Sequence, residues 1–257
     1  AMEWVKAQAL PFVLGVKTLP EGLATLASSL KHLEKLRQQS GVWFFTDMLY
    51  ATWQALHQHP EKRAQFANHL DHILVDEYQD VNEVQHQLLT WLAGERAKVM
   101  VVGDVDQCIY TWRGAQTTFL SDRFAADFSP VTTYHLPNTF RFGHRLALLA
   151  NHAIAANEWA DRVPVLASDF APDTRLYLHQ GYDAYHTANI LQDWKSKGHQ
   201  LKDSAILFRT WSQSAVVELS LLQAGISYRM LGDSSIWETP IAQGIMAILS
   251  IANHDLW

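Results

Sequence analysis

The stretch "ILVDEYQDVNEVQHQLLTWL", residues 73–92, runs three apolar residues straight into the carboxylates Asp76, Glu77 and Asp80. Its first half reads as a short buried strand, "HILVD" at 72–76. Residues 83–93 read as a helix, with Asp80 a candidate N-cap and Glu83 three residues later. A second β-rich run, "KVMVVGD" at 98–104, follows. A helix of that length makes a right-handed crossover, which sets the two strands side by side and parallel. Their polar ends, Asp76-Glu77 and "GDVDQ" at 103–107, then share the sheet edge where open α/β sheets bind ligands. Three acids after a strand are either solvated residues of a turn or ligands for something positive. At this edge a carboxylate can hold Mg²⁺, and Mg²⁺ can neutralise phosphate oxygens.

The same rhythm continues downstream. "VTTYHL" (131–136), "RLYLHQ" (175–180), "SAILFR" (204–209) and "ISYRML" (226–231) are β-rich runs. They are separated by helix-length stretches at 142–157, 184–197 and 212–224, which predicts an α/β architecture with parallel strands. A boundary between two such units falls near "FSPVT" (128–132). "VPVLASDFAPDT" (163–174) reads as a loop. Upstream, residues 1–67 read as helical: Leu23, Leu26, Leu30, Leu33 and Leu36 recur near helical spacing, then Met48, Trp53 and Leu56. Thr46 followed by Asp47 is a candidate cap for the later of these helices, and Trp4, Trp43 and Trp53 are most simply core or interhelix residues.

Composition narrows the function classes. The 257 residues are 48% hydrophobic, enough for a packed core, and the formal net charge is −6. A nucleic-acid site is therefore a local patch rather than the whole surface. The single Cys108 excludes an internal disulfide framework and suits a reducing, cytoplasmic setting. No apolar run reaches membrane-spanning length, and "AMEWVKAQAL" lacks the layout of a signal peptide. The thirteen histidines read as scattered surface residues, because close pairs such as His57 and His59 are not joined by Cys or carboxylate at ligand spacing.

"VVGDVDQCIYTWRGAQ" (101–116) places an amide, two aromatic rings and a guanidinium within seven residues. Gln107 can hydrogen-bond a terminal phosphate or an attacking water. Tyr110 and Trp112 can stack on unpaired bases. The competing reading buries both rings and pairs Arg113 with a nearby acid.

Taken together, "VDEYQD" and "VVGDVDQCIYTWRGA" resemble motifs II and III of the UvrD/Rep-type superfamily 1 DNA helicases, with a similar spacing between them. "YHLPNTFRFGHRLALLANHAIAAN" (134–157) is similar to the family's motif IV, and 204–232 to the strand–helix–strand that follows it. The resemblance runs from about residue 40 onward. It implies RecA-like parallel sheets of two motor domains, both partial. These would be 68–128, the C-terminal part of the first, and 129–257, the N-terminal part of the second. The helical segment 1–67 would end an accessory insertion. By the same resemblance Asp76 is the Mg²⁺ ligand and Glu77 the general base. Gln107 senses the γ-phosphate of ATP, and Arg141 reaches the nucleotide. Tyr110, Trp112 and Arg113 couple that signal to single-stranded DNA. The implied activity is ATP-dependent translocation on single strands and duplex unwinding, with the remaining helicase domains as partners and no membrane. Motif IV departs from the family's Asn-Tyr-Arg-Ser, since this chain has Thr139-Phe140-Arg141-Phe142.

The phosphate-cradling G-x-x-x-x-G-K-[ST] of such motors does not occur in the sequence. "GVKTLPEG" (15–22) has the residue types in another arrangement. Nothing after 232 resembles the later motifs. The chain is thus expected to be an internal piece of a helicase, inactive by itself, whether an excised fragment, a truncated product or a degenerate copy. The alternative is a non-catalytic module that binds single strands or a protein partner.

Overall fold

The computed structural model describes residues 1–157, 163–180, 184–231 and 239–252. The chain divides into two compact units, Ala1–Leu176 and Tyr177–Trp257.

The first unit opens with helices: α1 (Met2–Ala7), α2 (Phe12–Gly15), α3 (Ala27–Ser40), α4 (Phe45–Gln58) and α5 (Pro60–Phe66). The leucine periodicity in α3 overstates its core. Only Leu30 is buried; Leu23 and Leu26 lie in a 3-10 segment ahead of the helix, and Leu33 and Leu36 face solvent. What ties α3 to its neighbours is charge. Lys6 of α1 is buried between Glu34 of α3 and Asp47 of α4, and Arg37 bonds the same two acids. Burial alone would push the Glu34 carboxyl up. Hydrogen bonds from Arg37, Lys6 and Gln38, with the charge of Lys6, outweigh it and hold the group at about 2. Thr46 does not cap α4. Asp47 reaches back instead to the Phe44 amide, 2.7 Å away. Of the three early tryptophans Trp53 is core, with Tyr50, Ala9 and Val84, while Trp43 is exposed.

Next come β1 (His72–Val75), α6 (Glu83–Ala93) and β2 (Lys98–Val101). The strands are adjacent and parallel, with His72 opposite Lys98 and Val75 opposite Val101. Helix α6 begins where its cap dictates, but that cap is Asn82, not Asp80. Asn82 and Gln85 exchange side-chain-to-backbone bonds of 3.1 Å, and residues 78–80 form a 3-10 turn before it. One face of the strand pair packs Val75, Val99 and Val101 against Tyr78, Val81, Leu89 and Phe119, and against Phe124 of α7 (Asp122–Asp127). The opposite face carries Leu74 at 76% exposed and Met100 at 58%.

Beyond α7 the strand expected at 131–136 is not formed. Val131, Tyr134 and Leu136 face solvent, and pairing begins only past Pro137, at β3 (Asn138–Thr139). Its parallel partner β4 (Leu166–Ala167) lies in the segment read as a loop. Between them α8 (His144–Ile154) is fixed by Asn151, whose amide exchanges bonds of 2.8 and 2.9 Å with the Val165 backbone.

In the second unit α9 (Ala184–Ser196) and α10 (Ser214–Gln223) pack around Ala188, Val217, Leu221 and Ile226, and α11 (Pro240–Ala252) follows. The runs at 175–180, 204–209 and 226–231 are not hydrogen-bonded as strands. Their sequence signal still has a physical result: Ile206 and Phe208 turn inward while Leu207 faces water, the alternation of a strand without a ladder. The whole is a mixed helix and parallel-strand architecture.

Candidate functional site

The site grows from the ends of β1 and β2. The ladder continues one step past each strand: Val102 N donates to Val75 O at 2.8 Å, and Tyr78 N to Val102 O at 2.9 Å. Between those anchors the chain must turn, and Glu77 does so in the left-handed region, φ 54° and ψ 40°. For a non-glycine residue this costs roughly 1–2 kcal/mol. Asp76 braces the turn, its Oδ1 accepting the Glu77 amide at 2.9 Å.

From there a chain of bonds crosses to the second strand. Gln79, buried, donates to Glu77 Oε2 at 2.6 Å, and its own carbonyl accepts the Asp104 amide at 3.0 Å. Asp104 accepts the Asp106 amide at 3.0 Å and the Gln107 side chain at 2.8 Å. The backbone comes this close because residue 103 is glycine: a Cβ there would sit 2.6 Å from Gln79 Oε1 and 3.1 Å from Gln79 N. Asp76, Glu77 and Gln107 are thereby held in one network. Gln79 and Asp104, its two connecting members, were not singled out in the sequence.

Asp76 is exposed, and one of its oxygens is taken by the turn. Among the described residues no group of three metal-ligating side chains occurs. A single accessible carboxylate still fits Mg²⁺, a hard cation that keeps several waters and takes one or two carboxylates plus substrate phosphates.

Past Gln107 the aromatic segment is open to solvent. Trp112 is 59% exposed and Tyr110 36%, their ring centroids 6.2 Å apart. The Arg113 guanidinium lies over both, 5.7 Å from the Tyr110 centroid and 5.4 Å from that of Trp112. Its Nε is 3.1 Å from Glu3 of α1. Tyr110 and Arg113 line a cavity of about 310 Å3 with Glu3, Phe45, Leu49 and Asp80. Phe45, 88% exposed at the start of α4, is a further ring that the sequence did not single out. Its doublet with Phe44 next to a helix start was the available signal. Asp80 Oδ1 is buried and accepts no hydrogen bond among the described residues. Burial, with the charge of Glu77, pushes its carboxyl up, and burial beside Asp80 pushes the Cys108 thiol up.

Arg141 stands two residues past β3, exposed, its amide 3.3 Å from Thr139 Oγ1. Among the described residues no hydrogen bond or ion pair joins it to the Asp76–Gln107 network. It repeats the placement of Asp76, at the carboxyl end of a parallel strand ahead of a helix. One histidine departs from the surface reading: His86 on α6 is 1% exposed, against Tyr78 and Asp127.

Residues 17–129 match the model of the UvrD/REP helicase N-terminal domain. Over 84% of its length the chain is 32% identical to a protein of Haemophilus influenzae described as DNA helicase II, covering 30% of it. The ATP-dependent DNA helicase Rep of Escherichia coli is 32% identical over 82% of the chain and 32% of its own length. The ATP-dependent DNA helicase PcrA of Bacillus subtilis is 31% identical over 82% and 29% respectively. The chain thus spans about a third of the length of these relatives.

Proposed function

We propose, on the premise that residues 17–129 belong to the UvrD/REP helicase N-terminal domain family and that most of the chain aligns with helicases of that type, that these residues carry part of the motor of an ATP-dependent DNA helicase. Such a protein couples Mg-ATP hydrolysis to translocation on single-stranded DNA and to duplex unwinding. The RecA-like reading of 68–128 and 129–257 as parts of two motor domains belongs to the same proposal, as does a role for the remaining helicase domains.

The observation that carries the reading is the hydrogen-bonded line Glu77–Gln79–Asp104–Gln107, which ends three residues ahead of Tyr110 in the chain. Asp76, next to this line, would hold Mg²⁺, and the ion would supply charge neutralisation on the phosphates. Glu77 accepts a proton from the attacking water or orients it. Gln107 answers to the terminal phosphate, and any movement of its side chain is felt at Asp104 and Gln79. Arg141 offers positive charge to the nucleotide. Tyr110, Trp112, Arg113 and Phe45 form the single-strand face, with Arg113 exchanging its Glu3 partner for a backbone phosphate. A second reading, a non-catalytic single-strand-binding or interaction module, is favoured for these 257 residues by themselves because they contain no G-x-x-x-x-G-K-[ST].

Binding of a labelled oligonucleotide at low salt tests the DNA face. Trp112→Ala and Phe45→Ala are each expected to weaken binding by roughly 1–3 kcal/mol while leaving the melting temperature nearly unchanged. A core tryptophan would instead lose about 3–5 kcal/mol of stability. A large drop in melting temperature for Trp112→Ala, or unchanged binding in both variants, removes the DNA assignment.

A further inference from the structure

The residue directly after Glu77 is tied through His86 to Asp127, 49 positions further along the sequence. Tyr78 is fully buried, and its hydroxyl lies 2.7 Å from His86 Nδ1. His86 Nε2 lies 2.7 Å from Asp127 Oδ2, on α7. The tautomer follows from the partners. A carboxylate only accepts, so Nε2 carries the proton and Nδ1 is left as an acceptor for the Tyr78 hydroxyl. Asp127 is held in turn by Arg123, 3.7 Å away, which also reaches Glu83 at the start of α6. Phe119, Phe124 and Phe128 wall the imidazole and the phenol, so no substrate reaches either ring. The line has the order of a nucleophilic triad without the access one needs. What it can do is fix a position. Tyr78 is held at its amide by Val102 and at its hydroxyl by His86, and Glu77 just before it is held left-handed.

We infer that Asp127, His86 and Tyr78 form a positioning relay that keeps Glu77 in its left-handed conformation and Asp76 aimed off the sheet edge. The inference rests on the motor reading only for what the turn does when positioned; the relay itself stands on the bonds above. Without it, Glu77 relaxes toward ordinary backbone angles and swings both carboxylates. His86 and Asp127 are thus positioning residues for Asp76 and Glu77, although neither touches those two carboxylates.

The test uses the 257-residue chain. Amide exchange and the Glu77 coupling constant are read by NMR in wild type, Tyr78→Phe, His86→Gln and Asp127→Asn, with Mn²⁺ titration as a second arm. The relay predicts that Tyr78→Phe, which removes one oxygen and keeps the packing, speeds exchange of the Tyr78 amide by about tenfold. The Glu77 coupling constant shifts with it, while the slow amides of α6 are unmoved. Asp127→Asn is expected to give a smaller change of the same kind, since an amide oxygen still accepts from Nε2. Acceleration spread evenly over all slow amides makes the triad ordinary core and overturns the inference, as does an unmoved Glu77. If wild type binds Mn²⁺, Tyr78→Phe should weaken it several-fold. If wild type takes up none, the metal assignment of Asp76 fails and the exchange data alone decide the relay.

Discussion

Glu34 shows how a single carboxylate can carry much of a helix's attachment. Its group lies below its ordinary value of 4.5, at about 2, so the folded chain prefers it ionised. The stabilisation is complete above about pH 4.5 and drains away as pH falls toward about 2. Urea unfolding of wild type and Glu34→Gln should therefore differ most near neutral pH, by of order 2–3 kcal/mol, and converge in acid. A gap that widens on acidification would contradict the sign. No sequence pattern announced this cluster, because Lys6, Glu34 and Asp47 come from three different helices. The same limit hid His86: a histidine on a helix's apolar face is buried only if something such as Asp127 waits to satisfy its second nitrogen. By contrast Asp76, Glu77 and Gln107 stood out as candidates, since their residue types sit at the ends of two recognisable strands.

At the scale of elements, legibility followed locality. Helix α6 spans the helix-length stretch read between the two strands, and β1 and β2 pair in parallel as a crossover of that length predicted. Where a boundary depended on one atom the sequence missed by a step, choosing Asp80 where Asn82 caps. The weaker strands were another matter. A strand exists only against a partner, and nothing in 204–209 or 226–231 says which partner or whether one is present. Alternating burial survived there, while ladders did not. Gly103 marks the element contact on which the site depends most. Gly103→Ala drives a methyl into Gln79, cutting its bond to Asp104 and loosening the β1–β2 edge. A cost of about 1–3 kcal/mol in denaturant is expected, larger than a glycine substituted at an open surface turn. An unchanged midpoint would mean that the two turns are not in register.

For the molecule as a whole, the two halves of the site are unequal. The turns at Asp76–Gln79 and Gly103–Gln107 are hydrogen-bonded to each other, yet the sequence contains no G-x-x-x-x-G-K-[ST]. The polypeptide by itself is expected to release no phosphate from ATP with or without DNA. Steady-state release above background that disappears in Glu77→Gln would overturn that. The parallel strand pair has a separate effect on the material. Such sheets normally have both faces covered. Here Leu74 and Met100 stand in water beside strand edges that can template further pairing, with Ile241, Ile248 and Ile251 of α11 also exposed. The polypeptide is consequently expected to stick to itself, so that at fixed temperature its loss from solution should grow with its own concentration.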